Sequence, residues 1–399
     1  MLFLTYWFVL YAIILFPLYW AVPRAGVRRL ILLAGSVVFH THFAGPAGVL
    51  PIVALGIATY GAGRSRSRYA CGAMVLANVL ALIYYKYTIF LCKQVLGAIW
   101  PEVIAFGTTS PYLKDIVPPL AISFFVFEFV HYLLDVSHGS EPIRDPIDFA
   151  LFSVFWPSIV AGPVKRYEEF LPALHHGLGH IGRSDVAEGV LRVALGYAKK
   201  IVADNLTAYI TFSSAARFDQ LSLSWRWFVV LCIGMRILLD FSGYTDMAVG
   251  FARMHGIRLP ENFNWPYLSR SIVTFWRRWH MSLSRWIRDY VYISLGGNRH
   301  GVIRTAFNGL VTFALCGLWH GAGFNFLIWG VLHGVALAIA TNYRRLWLPG
   351  QWLGWVFDRL PPLGWALTTL FVFLTWLFFF YPMPQAVHML HLLLPEKWR

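Results

Sequence analysis

Residues 316–326 read CGLWHGAGFNF and set a histidine, His320, at a break between two apolar runs. Glycines at 317, 321 and 323 let the backbone approach closely there and let the chain turn. An imidazole titrating near pH ~6.5 can accept a hydroxyl proton at physiological pH. It can equally be a packing group that donates to a backbone carbonyl, and spacing alone leaves both readings open. The next run adds Asn325 and His333, eight residues apart and so on roughly one helical side. Cys316 stands four residues before His320, but apolar neighbours would keep its thiol protonated and make it a poor nucleophile.

A second histidine, His280, lies in WRRWHMSLSRWIRDY, residues 276–290. Trp276, Trp279, Leu283, Trp286, Ile287 and Tyr290 recur at helical spacing. Arg277, Arg278, Ser284, Arg285 and Arg288 take much of the remaining surface. The pattern predicts an amphipathic helix that lies among lipid headgroups or dips into a polar cavity, with His280 at the border of its two faces.

Other titratable groups have plainer readings. Glu128, His131 and Asp135 share one face of a predicted helix over 117–137, where pairing with basic loops accounts for them. Arg236 and Asp240 sit one turn apart and predict a structural ion pair. In HHGLGH the spacing of His176 and His180 suits a metal-binding helix, but the glycines predict a solvated loop for His175, His176 and His180. His40 and His42 read as residues of an interfacial turn, and no metal site is predicted. A GxSxG elbow, a phosphate-binding loop, a dinucleotide fingerprint and HExxH are all absent, so any catalysis rests on histidine.

The elements that must carry these groups are apolar. The 399 residues are 58% hydrophobic and 13% charged, against about 25% charged in soluble domains. Runs of about 20 apolar residues, each able to cross ~30 Å of hydrocarbon, recur along the chain. They fall near 3–22, 29–44, 47–62, 70–92, 117–137, 149–164, 187–211, 225–251, 304–319, 323–341 and 362–382, and predict an all-α polytopic membrane protein forming one domain over residues 1–399. Two runs look re-entrant: 149–164 contains Pro157 and Gly162, and 187–211 carries Arg192, Lys199, Lys200 and Asp204. The net charge of +14 is concentrated in loops and in the 276–288 segment, which suits membrane lipid headgroups and not nucleic acid. The four cysteines are scattered and suggest no disulfide. The first run lacks a cleavage site and reads as a retained span. Arg24, Arg28 and Arg29 share a side with Arg64, Arg66 and Arg68, which predicts an extracytoplasmic N-terminus.

DFSGYTDMAVG, LPENFNWPYLSRSIVTFWRRWHMSLSRWIRDYVYISLGGNR and LWHGAGFNFLIWGVLHG, with the upstream WPSIVAGPVKRYEEF, resemble the membrane-bound O-acyltransferase (MBOAT) family. The likeness is specific over about residues 150–340 and is nearest to the bacterial branch of alginate O-acetylation proteins, with the D-alanyl transfer branch more distant. It implies a ring of about 10–11 transmembrane helices, plus re-entrant and amphipathic helices, around a central tunnel. It implies that His320 is the catalytic histidine and that His280 is a second histidine at the reaction tunnel; beside them, the charge of Arg277 or Arg278 is expected to orient the donor or hold the developing charge. The implied donor is a cytoplasmic acyl thioester such as acetyl-CoA, with no bound cofactor. The implied acceptor is a hydroxyl of an extracellular polysaccharide such as alginate or cellulose, or an extracytoplasmic partner protein, at the bacterial inner membrane. A lipid acyltransferase of the same family, a transporter and a secretion-complex scaffold are the alternatives. A transporter fits less well because the halves show no hydropathy repeat.

Overall fold

Backbone groups in hydrocarbon must find their hydrogen bonds within their own segment, which helices allow. A computed structural model describes residues 2–395 apart from 111–112, 114–115, 215–216 and 347, and every regular element among the described residues is helical. Among the described residues, six helices are long and apolar enough to cross a membrane: Ala25–Ser65, Arg68–Leu96, Leu223–Arg253, Gly301–His320, Phe324–Tyr343 and Pro361–Phe380. The protein is an all-α multi-pass membrane protein. Its chain divides into two compact units, Met1–Leu195 with Thr245–Pro260, and Gly196–Tyr244 with Glu261–Arg399.

The first unit begins with α1 (Tyr6–Ala21), capped by the Thr5 hydroxyl, which accepts from the Phe8 amide at 3.1 Å. Next, α2 (Ala25–Ser65) breaks at Gly45, whose φ of 66° and following Pro46 end the first arm. The two arms return to one segment. Arg29 pairs with Asp145 and Asp148, the Tyr60 hydroxyl donates to the Arg144 carbonyl at 2.6 Å, and Arg66 pairs with Glu141. Both basic stretches therefore meet the same 141–148 segment. The bond from Arg29 also holds the Asp145 carboxyl below the usual carboxylate range. His40, expected in a turn, is instead buried in the first arm, and His42 stacks on Trp7 with ring centroids 3.8 Å apart.

After α3 (Arg68–Leu82), the helix runs through π turns and one α turn, α4 (Thr88–Phe90), to Leu96. It is followed by α5 (Glu102–Thr109), α6 (Ile122–Ser137), α7 (Pro146–Val154) and α8 (Tyr167–His180). The irregular reading of 149–164 holds: α7 stops at Val154, and a single 3-10 turn buries Trp156 among Phe3, Phe8, Tyr11, Phe39 and Phe251. Beyond that turn, Lys165 reaches Glu128 of α6 at 2.5 Å and Ser158 at 3.0 Å, with both charged side chains buried. HHGLGH is not a loop. Tyr167, Phe170, Leu174 and Leu178 give α8 a buried stripe, and Gly177 meets Gly256 so closely that a Cβ would lie 2.6 Å from the Gly256 carbonyl. His175 bonds Asp148 at 2.9 Å, while the rings of His176 and His180 stack on each other.

Two long helices, α9 (Arg183–Ser214) and α10 (Leu223–Arg253), contribute to both units. The run 187–211, expected to be re-entrant, lies in α9, one unbroken helix of 32 residues in which Arg192, Lys200 and Asp204 are paired. Arg192 meets Asp246 at 2.7 Å in the first unit. In the second, Lys200 joins Asp204 and Asp240, and Arg236 bonds Asp240 at 3.4 Å, so the expected i,i+4 pair is part of a larger network.

The second unit adds α11 (Ile272–Trp276), α12 (Met281–Ile287), α13 (Gly301–His320), α14 (Phe324–Leu346), α15 (Leu348–Arg359), α16 (Pro361–Phe380) and α17 (Met383–Leu392). Trp279 packs on Phe263, Phe275 and Trp376 at centroid distances of 5.0–5.6 Å. The buried Arg226 guanidinium donates to the carbonyls of Phe218, Asp219 and Leu392, which ties α17 to the start of α10.

Candidate active site

The site belongs to the second unit and grows from a broken helix. The tryptophan-arginine segment is not the single amphipathic helix that its periodicity predicts. It is α11 and α12, separated at His280, whose φ of 42° and ψ of 54° are left-handed. For a residue other than glycine this conformation costs on the order of 1–3 kcal/mol and persists only where the surroundings impose it. The imposing contacts come from the preceding loop. The Asn262 carbonyl accepts from the Met281 amide at 2.9 Å, and its Oδ1 accepts from the Ser282 amide at 3.1 Å and from the Ser282 hydroxyl at 2.6 Å. On the other side of His280, the Asn264 amide donates to the Arg278 carbonyl at 2.9 Å.

The side-chain partition nevertheless follows the sequence. Trp276, Trp279, Leu283, Trp286 and Ile287 are buried, whereas Arg277, Arg285 and Arg288 are exposed. His280 itself is 1% exposed, and neither of its ring nitrogens has a hydrogen-bond partner. Its ring lies 4.7 Å from that of Phe241 and 6.2 Å from that of Trp319. His280 lies outside the six apolar spans, and burial, helped by the nearby His320, holds its pKa well below the ordinary histidine value. It is therefore a neutral imidazole with one N–H to give.

His320 is the last residue of α13. The helices on either side of it cross almost backbone to backbone: a Cβ on Gly317 would lie 2.2 Å from the Phe326 carbonyl oxygen, and one on Gly330 would lie 2.2 Å from that of Phe313. Only glycine permits that approach, and the crossing fixes where α13 ends. The half-buried His320 ring then meets Trp319, Trp329 and Phe379 at 4.7, 5.3 and 5.0 Å. The indole N–H of the fully buried Trp329 also has no acceptor.

A cavity of about 550 Å³ runs beside α13 from Thr305 to Cys316, about 16 Å of helix. Arg277, Arg285 and Arg288 line it, together with Trp276, Tyr292 and Phe313. Cys316, which lines it, stands one turn before His320 on α13, while His280 and His320 are not among the lining residues. The structure thus brings Arg277 together with Arg285 and Arg288, while Arg278 is not among the lining residues. His333 has a different place. Trp276 Nε1–H donates to its Nδ1 at 3.3 Å, so its Nε2–H donates to Thr375 Oγ1 at 3.0 Å, and Thr375 donates to the Val372 carbonyl. That histidine is fully employed in packing. Asn325 likewise spends its amide on the Phe378 carbonyl.

Residues 90–383 match the profile of the membrane-bound O-acyltransferase family. The chain belongs to the membrane-bound O-acyltransferase family. It is 37% identical to a probable alginate O-acetylase of Azotobacter vinelandii over 372 residues, which is 91% of this chain and 71% of the relative. It is 33% identical to a peptidoglycan O-acetyltransferase of Helicobacter pylori, covering 92% of this chain and 71% of the relative. It is 30% identical to a teichoic acid D-alanyltransferase of Bacillus subtilis, with 70% and 71% covered. Among the alginate-type relatives the chain spans from 52% to 71% of their own length. Sequence reasoning singled out both histidines and the basic face as candidates but passed over Asn262 and Trp329. Asn262 has no periodic signature, because its bonds reach residues about twenty positions away; Trp329 reads as one more apolar core residue.

Proposed function

We propose that this protein transfers a short acyl group, acetyl from acetyl-CoA, across a bacterial inner membrane to a hydroxyl acceptor. The acceptor is an extracytoplasmic polysaccharide of the alginate, cellulose or peptidoglycan kind, reached directly or through an extracytoplasmic partner protein. The positive-inside rule puts the basic loops in the cytoplasm with the donor and the N-terminus outside. The arginine-lined cavity suits the anionic donor, with Arg277 the better placed of the two arginines singled out from sequence.

In this reading His320 takes the proton of the attacking hydroxyl as its oxygen bonds to the thioester carbonyl carbon. The neutral His280 donates its N–H to the oxyanion that forms. The carbon–sulfur bond then breaks, and the departing thiolate recovers the proton from His320, leaving an ester and a free thiol. No metal or nucleoside triphosphate is required, and Cys316 serves only as a wall of the cavity.

The observation that carries the reading is His280. A buried ring whose two nitrogens are both unpartnered, next to the half-buried His320, has polar demand that a substrate would meet. The test is the acetyl-CoA-dependent acetylation rate of native membranes carrying a His320→Ala variant. A loss of about 10²–10⁴-fold at normal insertion is expected, and a wild-type rate would overturn the proposal. Donors of increasing acyl length separate it from lipid acylation: a rate confined to short acyl groups supports the proposal, and a preference for long chains would overturn it.

A further inference from the structure

We infer that Asn262 is a positioning residue for this reaction, holding His280 in the left-handed conformation that aims its ring at the reacting centre. The inference rests on the proposed role of His280 and extends it to a residue with no chemistry of its own.

Three observations converge. First, His280 adopts a conformation that residues other than glycine avoid, at the one point where α11 and α12 part. Had the helix continued, the ring would sit on its flank at the border of the two faces. Second, Asn262 supplies all three acceptor contacts described above for the residues just after His280: its backbone oxygen takes the Met281 amide, and its side-chain oxygen takes both donors of Ser282. These are the bonds that a preceding helical turn would otherwise have offered, so the loop substitutes for that turn and makes the break affordable. Third, Asn262 is 1% exposed, and its own Nδ2 has no partner, so the side chain is committed to this contact through its oxygen alone. An apolar side chain of similar size would fill the space as well but would accept nothing. Residue type at 262 is therefore set by the geometry of His280.

The experiment compares Asn262→Ala, Asn262→Asp, Ser282→Ala and His280→Ala, singly and with Asn262→Ala combined with His280→Ala, in the full chain. Host membranes carry the variants, and thiol release from acetyl-CoA is the readout. Asn262→Ala should lower kcat about 10²-fold with the KM for acetyl-CoA unchanged, the size of effect that a displacement of about 1 Å at a reacting group produces. Asn262→Asp keeps the accepting oxygen and should restore most of the rate. The double variant should be no slower than His280→Ala alone, because both changes remove the same contribution. If Asn262→Ala fails to insert, Ser282→Ala carries the test with a smaller fall in kcat. Losses that multiply in the double variant, or a wild-type kcat for Asn262→Ala beside a slow His280→Ala, would overturn the assignment and leave the role of His280 intact. A wild-type rate for His280→Ala would instead remove the functional reading on which the assignment stands.

Discussion

The Lys165–Glu128 pair of the first unit and His280 of the second are equally hidden from solvent, yet they are opposite in kind. Lys165 is 1% and Glu128 5% exposed, and each satisfies the other, with Ser158 taking a further bond. His280 is 1% exposed on a strained backbone and satisfies nothing. Burial of a titratable group thus says little about function. The distinction lies in whether the interior has met its hydrogen-bonding capacity: a satisfied group has been absorbed into the architecture, and an unsatisfied one keeps a bond to offer. His333 sharpens the point, since it lies in the same unit as His280, is just as buried, and has both nitrogens engaged.

The largest effect is expected where a satisfied group loses its partner. Lys165→Met strands the Glu128 carboxylate and should cost about 3–5 kcal/mol of stability. Glu128→Gln in the same chain should return most of that loss, as thermal unfolding in detergent would record. For His280→Ala the sign of the comparison reverses. The rate should fall about 10²–10³-fold, as for an oxyanion donor, while the unfolding temperature should fall less than for Lys165→Met, because no hydrogen-bond partner is stranded. A variant that lost stability and kept its rate would erase the distinction drawn above. His333→Leu should destabilise by about 1–3 kcal/mol, because it leaves the Trp276 indole N–H without an acceptor, and should slow turnover less than His280→Ala does. Smallest are the single changes Arg277→Gln, Arg285→Gln and Arg288→Gln. Each should raise the KM for acetyl-CoA by up to about fivefold, less at high salt, in steady-state assays.

Much of this was legible in the sequence, and the residues show where legibility ends. Hydropathy overlapped all six long apolar helices but also marked 3–22, 117–137, 149–164 and 187–211, which are not among them, and glycines flanking His320 marked a close helix crossing, because such signals are local. The break at His280 was hidden: the intervals from Trp276 through Trp279 and Leu283 to Trp286 fit a continuous helix, and the forces that interrupt it come from Asn262 in a loop. The helix at His175–His180 was hidden for the converse reason. Its glycines looked like breakers, whereas Gly177 is required by the approach of Gly256, a partner far off in sequence. Charges in α9 likewise suggested a discontinuity that their pairing with α10 makes unnecessary.

The segment from Glu141 to Asp148 receives Arg29, Tyr60 and Arg66 from the two ends of a helix that turns back at Gly45. The two arms of α2 cannot part without opening these bonds, so the 141–148 segment acts as a clasp that keeps the hairpin shut.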